Sequence, residues 1–439
     1  MLEKLRNIFQ VPELRRRILF TLLMFVVYRL GEHVPTPGVN AKALAGAFAS
    51  QSGTLFGLYD LFVGGAFSRA TVFALGIMPY ISSSIIIQLL GAVVPYFEKL
   101  RKEGEEGQKA ITQWTRVGTV FISIVQSLGY SFYLVHLGAS QGLAVVPNPT
   151  FTFYFSTLIT QTAGTILVMW LGEKITEFGI GNGISLIIFV NILGGLPNGI
   201  MAAIDSMRGG NLNPLQLLAM IGIIVAVVAA VVVMTQATRK IPVQYAKRIV
   251  GRRMYGGQST HIPLRVNTAG VIPIIFASSI MVLPTTVAGF FPPGSPIASM
   301  GQFFTRTSWV FNVLYAIIIV FFTYFYTAVV LNPNDLAENM RKYGGFVPGV
   351  RPGRKTAEYI DRVLSRITLP GAIFLAAVAV LPDVILALFK VPALAFGGTS
   401  VLIVVGVALD TLQQVESHLL MRHYEGFVKR SRIRGRQRM

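Results

Sequence analysis

The sequence predicts an all-α polytopic membrane protein. Of its 439 residues, 53% are apolar and 13% are charged, whereas about a quarter are charged in an average soluble domain. Ten segments reach the length of about 20 mostly apolar residues that a helix needs to cross a bilayer. This composition nearly excludes a soluble or a disordered protein. The absence of cysteine excludes disulfides, thiol nucleophiles and cysteine-ligated metals.

The ten expected transmembrane helices differ in how clearly they can be recognised. The sixth is the clearest, because Leu217–Met234 is an unbroken run of apolar residues and glycine. The first is the weakest, since Arg29, Glu32 and His33 lie near its far end. In chain order the expected spans are about 17–36, 71–95, 112–137, 151–171, 180–200, 215–237, 267–289, 308–331, 367–388 and 397–417.

Lys and Arg are distributed unevenly between the two sides of the expected membrane. With the N-terminus in the cytoplasm, only six of the 38 basic residues fall in outer loops. Short cytoplasmic loops carry the excess of Lys and Arg in membrane proteins. We therefore expect a cytoplasmic N-terminus, and an even number of spans returns the C-terminus to the same side.

Two of the expected cytoplasmic loops are long and basic. The first, about 238–265, contains no Asp or Glu, and the second, about 332–366, contains seven basic and four acidic residues. A loop without acids suits an anionic partner such as ribosomal RNA, whose phosphates attract basic residues without sequence readout. Positive-inside topology and binding of anionic lipid remain alternative roles for these residues.

Spans 2, 5, 7 and 10 are interrupted by proline, glycine and serine. Pro79 and Pro273 lie in spans 2 and 7, Gly179–Gly183 opens span 5, and Gly397–Ser400 opens span 10. Broken or polar helices are tolerated in a bilayer where they are buried in protein or line water. Two interpretations stay open: close helix packing through small residues, and a pathway enclosed by these four spans.

Isoleucines in the same four spans suggest an apolar constriction. Ile81 and Ile85 lie four residues apart on one face of span 2, and Ile188, Ile275 and Ile403 lie in spans 5, 7 and 10. Narrow apolar constrictions exclude water and ions. A single isoleucine in a span is more typical of lipid contact or core packing, and the sequence pattern by itself does not select these five.

Eight blocks of sequence, in order along nearly the whole chain, resemble the bacterial SecY family, the main subunits of the Sec protein-conducting channel. These blocks are Phe62–Ala70, Phe73–Ser82, Gly179–Ser185, Gln258–Leu264, Ala269–Pro273, Phe276–Ser279, Phe346–Gly353 and Gly397–Ser400.

The resemblance implies ten transmembrane helices in two pseudo-symmetric five-helix halves, which form a clamshell around a central pore. The N-terminal half is 1–205 with spans 1–5, and the C-terminal half is 206–439 with spans 6–10 and the basic C-terminal tail. A short re-entrant plug helix is expected at about 58–69.

The resemblance also assigns roles to individual residues. The pore ring corresponds to Ile81, Ile85, Ile188, Ile275 and Ile403. The plug includes Phe62, Gly64, Gly65, Ser68 and Arg69. A lateral gate between spans 2 and 7 includes Ser82, Ser83, Ile85, Gln88, Ser278 and Ser279. Docking of SecA or the ribosome is expected at Arg248, Arg252, Arg253 and Arg351.

The function implied by the resemblance is passage of unfolded secretory polypeptides across the bacterial cytoplasmic membrane and lateral release of transmembrane segments into lipid. SecE and SecG are the expected membrane subunits, and SecA or a translating ribosome is the expected source of energy. Signal peptides, nascent chains and membrane lipids are the other expected partners. No cofactor or metal is expected.

Two other classes of function compete with this interpretation. A secondary transporter would place an ionisable group or an unwound backbone at mid-membrane, and acids within the spans are few, among them Asp383 and Asp410. An intramembrane enzyme would need a reactive motif, but the five histidines show no metal-ligand spacing and no nucleophile elbow or phosphate loop occurs. We therefore expect a protein that is not an enzyme.

Overall fold

The computed structural model describes residues 11–49, 55–141, 144–210, 213–245, 248–250, 253–255, 259–288, 295–296, 308–389 and 398–430. Within these ranges the fold is predominantly helical, with short strands only near the two basic loops. The helices are α1 Pro12–Gly31, α2 Ala41–Ala49, α3 Leu55–Phe62, α4 Met78–Val93, α5 Pro95–Lys102, α6 Glu105–Gln141, α7 Phe151–Phe178, α8 Gly183–Arg208, α9 Pro214–Gln236, α10 Ile272–Ala288, α11 Trp309–Val330, α12 Pro333–Lys342, α13 Arg354–Phe389 and α14 Gly398–Arg430. The strands are β1 Thr238–Tyr245, β2 Arg248–Val250, β3 Arg253–Tyr255, β4 Ser259–Arg265 and β5 Gly345–Phe346.

The chain divides into two compact units. Unit 1 comprises Met1–Gln51, Leu58–Gly195 and Val407–Met439, and unit 2 comprises Ser52–Gly57 and Leu196–Gly406.

Each of the ten expected spans overlaps one helix of 16 residues or more. Seven of these helices are long and apolar enough by themselves to cross a membrane, and α4 with α5 adds an eighth if this pair, bent by 96°, is one span. Helix α1 is interrupted by charge at Arg15–Arg17 and Arg29, and α10 has only 17 residues. The protein is therefore a multi-pass membrane protein.

The helix of span 2 begins later than expected. Residues 71–77 form turns, and α4 starts at Met78 with Pro79 in its first turn, where the missing amide proton of proline costs no hydrogen bond. The preceding Gly76 has φ +53°, and a Cβ there would lie 2.9 Å from Val63 Cγ1. A left-handed glycine packed against Val63 thus prevents the helix from extending back to residue 71.

In unit 1, α6 packs against α4 and α7, and α7 also packs against α1. The buried face of α7 follows helical spacing at Thr157, Gln161, Gly164, Val168 and Leu171. A Cβ at Gly164 would overlap the carbonyl oxygen of Val72. Small and polar side chains therefore let α7 approach the turns at 71–77 directly, as in close packing of membrane helices.

In unit 2, α11 packs against α10 and α13, and α12 packs against the first part of α13. By contrast, α9 buries only a narrow stripe, Val227, Val231 and Thr235, while Leu218 and Val233 are 69% and 70% exposed. A helix that is apolar on all sides and exposed suits contact with lipid.

The two basic loops, expected as separate segments, fold together in unit 2. Strand β1 pairs antiparallel with β4 from Thr238↔Arg265 to Gln244↔Ser259, and β5 pairs with the end of β1 through Gln244↔Phe346. We call β1, β4, β5, α12 and the first turns of α13 the loop module. Its core consists of Ile241, Val243, Leu264, Met340, Val347, Ile360 and Leu364.

Candidate functional site

The expected plug segment, residues 58–69, is helical only in its first part. Helix α3 ends at Phe62, where the amide of Gly64 donates to Leu61 O and the amide of Gly65 donates to Asp60 O at 2.8 Å. This pattern is a Schellman motif, which requires a left-handed residue after the helix. Gly64 and Gly65 supply φ values of +70° and +81°, so the expected helix gives way to turns at the two glycines.

An aromatic cage surrounds Phe67 of the plug segment. The Phe67 ring lies 5.0 Å from the ring of Tyr59 and 4.6 Å and 6.0 Å from those of Tyr130 and Tyr133 on α6. The hydroxyl of Tyr130 donates to Phe67 O at 2.8 Å. Edge-to-face and tilted aromatic pairs of this kind stabilise beyond the area they bury, so α6 holds the second part of the plug segment.

Polar contacts within the plug segment close its turns. Asp60 Oδ1 accepts from the amide of Ser68 at 2.9 Å, and Arg69 donates through Nη2 to Gly64 O and through Nε to Gly65 O. Loss of hydration raises the pKa of the Asp60 carboxyl, against the lowering effect of its hydrogen bonds from Ser68. Arg69 thus holds the two glycines through their backbone carbonyls, a contact that does not depend on any glycine side chain.

The five isoleucines of the expected pore ring all have buried side chains, with exposed fractions of 5% or less. Ile81 and Ile85 lie one turn apart on α4 and, with Ile188 on α8, belong to unit 1. Ile275 on α10 and Ile403 on α14 belong to unit 2.

The residues expected at the lateral gate lie on α4 and α10. Ser83 Oγ donates to the backbone of α6 at Thr115 O, 2.8 Å away, and Gln88 Nε2 donates to Ser84 Oγ. On α10, the hydroxyls of Ser278 and Ser279 both donate to Ile275 O. Ser82 is buried as well. The serine hydroxyls with these bonds are thereby satisfied inside their own unit.

Of the arginines expected to dock a cytoplasmic partner, Arg351 is the best defined. It is exposed in the turn between β5 and α13, and the buried hydroxyl of Thr356 donates to its carbonyl at 2.9 Å. Among the described residues its guanidinium forms no ion pair. Arg248 and Arg253 lie in the β2–β3 hairpin, and Arg252 lies outside the described residues.

A buried polar group on α8, Asn191, is absent from the expected site residues. Its side chain is 1% exposed and donates to Phe62 O of the plug segment. The only sequence signal is a single amide within the apolar run Leu186–Leu193, which does not reveal the partner.

Comparison with known proteins identifies close relatives over the whole chain. Residues 71–412 match the family model described as SecY. The protein translocase subunit SecY of Thermus thermophilus is 46% identical, with all of both chains covered. That of Escherichia coli K12 is 46% identical, with 96% of each chain covered.

Solved structures share the fold at lower identity. A structure described as a protein conducting channel matches with a TM-score of 0.65 at 18% identity, covering 92% of each chain. A second, of SecY with a plug domain that stabilises the closed state and maintains a membrane seal, matches with a TM-score of 0.62 at 18% identity over 92% of each chain. Sec61 in a canine ribosome–channel complex matches with a TM-score of 0.62 at 17% identity, again over 92% of each chain.

Proposed function

The chain belongs to the SecY family, and from this premise we propose that it forms the polypeptide pathway of a Sec translocase. It is a protein translocase channel subunit. In this role it passes unfolded secretory polypeptides across the membrane and releases transmembrane segments sideways into lipid. The observation that carries this conclusion is the 46% identity to curated SecY proteins over the whole chain.

The proposed architecture has ten membrane-spanning helices in two halves, 1–205 and 206–439, that open like a clamshell. Helices that overlap all ten expected spans support it, and seven or eight of them are long and apolar enough to cross a membrane. We place the protein in the bacterial cytoplasmic membrane with both termini in the cytoplasm, on the basis of the uneven distribution of Lys and Arg.

Ile81, Ile85, Ile188, Ile275 and Ile403 form the proposed pore ring. Their burial supports the proposal, because side chains that seal a constriction must exclude water. An apolar ring without hydrogen bonds tolerates any passing sequence, since no polar group is left unpaired when the polypeptide enters or leaves.

Residues 58–69 form the proposed plug, with Phe62, Gly64, Gly65, Ser68 and Arg69 as its named residues. The segment carries no span of its own and is seated by contacts from neighbouring helices. A plug that maintains a membrane seal is described for the SecY structure of similar fold, which supports the assignment.

The proposed lateral gate lies between α4 and α10, with Ser82, Ser83, Ile85 and Gln88 on one side and Ser278 and Ser279 on the other. Small side chains permit close approach of helices in a membrane. Hydroxyls that are satisfied within their own helix or unit leave no broken hydrogen bond when the two helices part.

The loop module is the proposed docking surface for SecA or a ribosome, with Arg351 as its fixed cation and Arg248, Arg252 and Arg253 in the first loop. A Sec61 channel of similar fold is found in a ribosome complex, which supports ribosome binding. SecE and SecG are the proposed membrane subunits, and signal peptides and nascent chains are the proposed substrates.

The proposal is tested by crosslinking a stalled nascent secretory chain to the protein expressed in Escherichia coli depleted of its own SecY. A photo-crosslinking residue is placed at Ile188 or Ile403, and in matched controls at the exposed apolar positions Leu218 or Val233 of α9. We expect crosslinks from the two isoleucine positions and none from the two controls.

Crosslinks that arise only from Leu218 and Val233 would overturn the proposed pathway. If cells depleted of their own SecY do not grow when they express this protein, the same four variants are purified with their co-expressed membrane subunits and tested in vesicles with SecA.

A further inference from the structure

A buried polar cluster lies where α1 and α8 meet the plug segment in unit 1. Tyr28 and Arg29 lie near the end of α1, Glu32 follows that helix directly, and Asn191 lies in the first half of α8. The side chains of Tyr28 and Glu32 have no exposed area, and Asn191 is 1% exposed. Such groups are costly to bury in a membrane protein, which suggests that they do more than fill space.

Asn191 binds the backbone of the plug segment. Its Nδ2 donates to Phe62 O at 2.8 Å and to the Tyr28 hydroxyl at 2.8 Å. Phe62 is the last residue of α3, so its carbonyl is one of those that a helix end leaves without an intrahelical partner. One amide therefore joins the end of the plug helix to α1 and α8.

Gly64 brings the plug segment into close contact with the same cluster. A Cβ at this position would lie 2.7 Å from Glu32 Oε1 and 3.0 Å from Asn191 Oδ1. Asn191 Oδ1 has no hydrogen-bond donor among the described residues, and the Tyr28 hydroxyl is a neighbour of the Glu32 carboxylate besides Arg29. Both oxygens therefore face the glycine Cα, and any side chain at residue 64 would push the segment away from them.

Arg29 and Glu32 fix the cluster in place. Arg29 Nη1 donates to Glu32 Oε2 and Nη2 donates to Val190 O, both at 2.6 Å. Val190 precedes Asn191 on α8, so the guanidinium fixes the backbone from which the amide projects. A charged group that bonds both a carboxylate and a carbonyl holds this geometry more firmly than neutral pairs would.

We propose that Asn191, supported by Tyr28 and by the Arg29–Glu32 pair, is a positioning residue that holds the plug segment against α1 and α8. We call this position of the segment its seat. The inference rests on the proposed function, in which this segment seals the pore. Because the contact is made to a backbone carbonyl, Asn191 acts on the position of the segment and not on its side chains. Loss of this contact lowers the cost of displacing the plug.

The test measures how often the plug leaves its seat. The chain contains no cysteine, so Ser68→Cys introduces the only thiol, and a membrane-impermeant maleimide added outside reports its exposure. In the purified membrane complex, Asn191→Leu should raise the labelling rate and the resting ion conductance of vesicles about fivefold to thirtyfold, the factor for about 1–2 kcal/mol. Tyr28→Phe removes only one hydroxyl and should raise both about twofold to fivefold with the fold intact.

Gln161→Leu is the matched control. Gln161 is a fully buried amide that donates to Thr36 Oγ1 and Thr71 O, both outside residues 58–69. Gln161→Leu should leave the labelling rate and the resting ion conductance within twofold of the values for the parent protein. An equal rise in Gln161→Leu, or no rise in both Asn191→Leu and Tyr28→Phe, would overturn the positioning role.

Deletion of residues 60–67 tests the plug itself, and so distinguishes a failure of the positioning role of Asn191 from a failure of the proposed function. A deletion that raises the conductance while Asn191→Leu does not would refute only the positioning role of Asn191. A deletion that leaves the conductance unchanged would refute the plug itself.

Discussion

The plug segment and the loop module both lie outside the expected spans, yet they are stabilised in opposite ways. The plug segment has no core of its own: Tyr130 holds Phe67 and Asn191 holds Phe62. The loop module has its own core of buried residues around Val243 and Ile360. The difference separates a segment held by a few contacts from neighbouring helices, as the proposed plug requires, from a part that presents charges on a fixed backbone.

The largest expected loss of stability follows from a substitution in the core of the loop module, and it should leave the spans intact. Val243→Asp places an unpaired carboxylate in the module core, where Val243 has no exposed area, and should cost about 4 kcal/mol or more of local stability. Limited proteolysis of vesicles should then cut within 238–265 while the spans stay intact. The control is Gln244→Asp, on the exposed face of the same strand, which should resist the protease as well as the parent protein does. If Val243→Asp is equally resistant, the module has no independent core.

The next largest effect concerns the aromatic cage of the plug segment. Phe67→Ala should destabilise the seat by about 3 kcal/mol, because the three tyrosines then line a void. Hydrogen exchange of the amides at 63–70 should accelerate, while Phe121→Ala, at a position 69% exposed on α6, should leave it unchanged. Unchanged exchange in Phe67→Ala would mean that the segment is held without the cage.

A smaller change tests whether the fixed backbone of the module matters for docking. Thr356→Val removes the hydroxyl that donates to Arg351 O and should cost about 1 kcal/mol. SecA-driven translocation should slow several-fold at limiting SecA and recover at high SecA. A rate that does not depend on SecA concentration would argue against a docking defect.

The smallest effect on stability is expected for the exposed cation itself. Arg351→Glu should change the free energy of unfolding by about 0.5 kcal/mol or less, as exposed substitutions do, while it impairs SecA-driven translocation. Charge reversal at Lys109, which pairs with Glu105 at 3.4 Å outside the loop module, provides the control. Normal translocation by Arg351→Glu would show that Arg351 does not contribute to docking.

The sequence predicted the positions of the helices better than their ends. Hydropathy determines which segments enter a membrane, so each expected span overlaps a helix. The late start of α4 depends on Gly76 against Val63, a tertiary contact that hydropathy does not contain. The alternation of buried Ile241 and Val243 in β1 is typical of a strand, a pattern that prediction of spans from hydropathy does not detect.

The candidate site was only partly accessible from the sequence. The named plug residues follow from the resemblance of one short block, Phe62–Ala70, to the SecY family, and their role stays a prediction. The proposed role of Asn191 depends on a carbonyl 129 residues away, and the core of the loop module joins two loops separated by α10 and α11. Contacts of this kind arise from packing and leave no local pattern.

The pairing of β1 with β5 has a consequence for biogenesis. Gln244 finds Phe346 only after the ribosome has synthesised α11 and the second loop, and the module core is complete only when Leu364 has emerged. During its own synthesis, the newly made chain therefore lacks the complete proposed docking surface until α11 and the second loop have been made. We therefore expect the proposed binding of SecA or a ribosome at this surface to begin only after most of the spans have been synthesised.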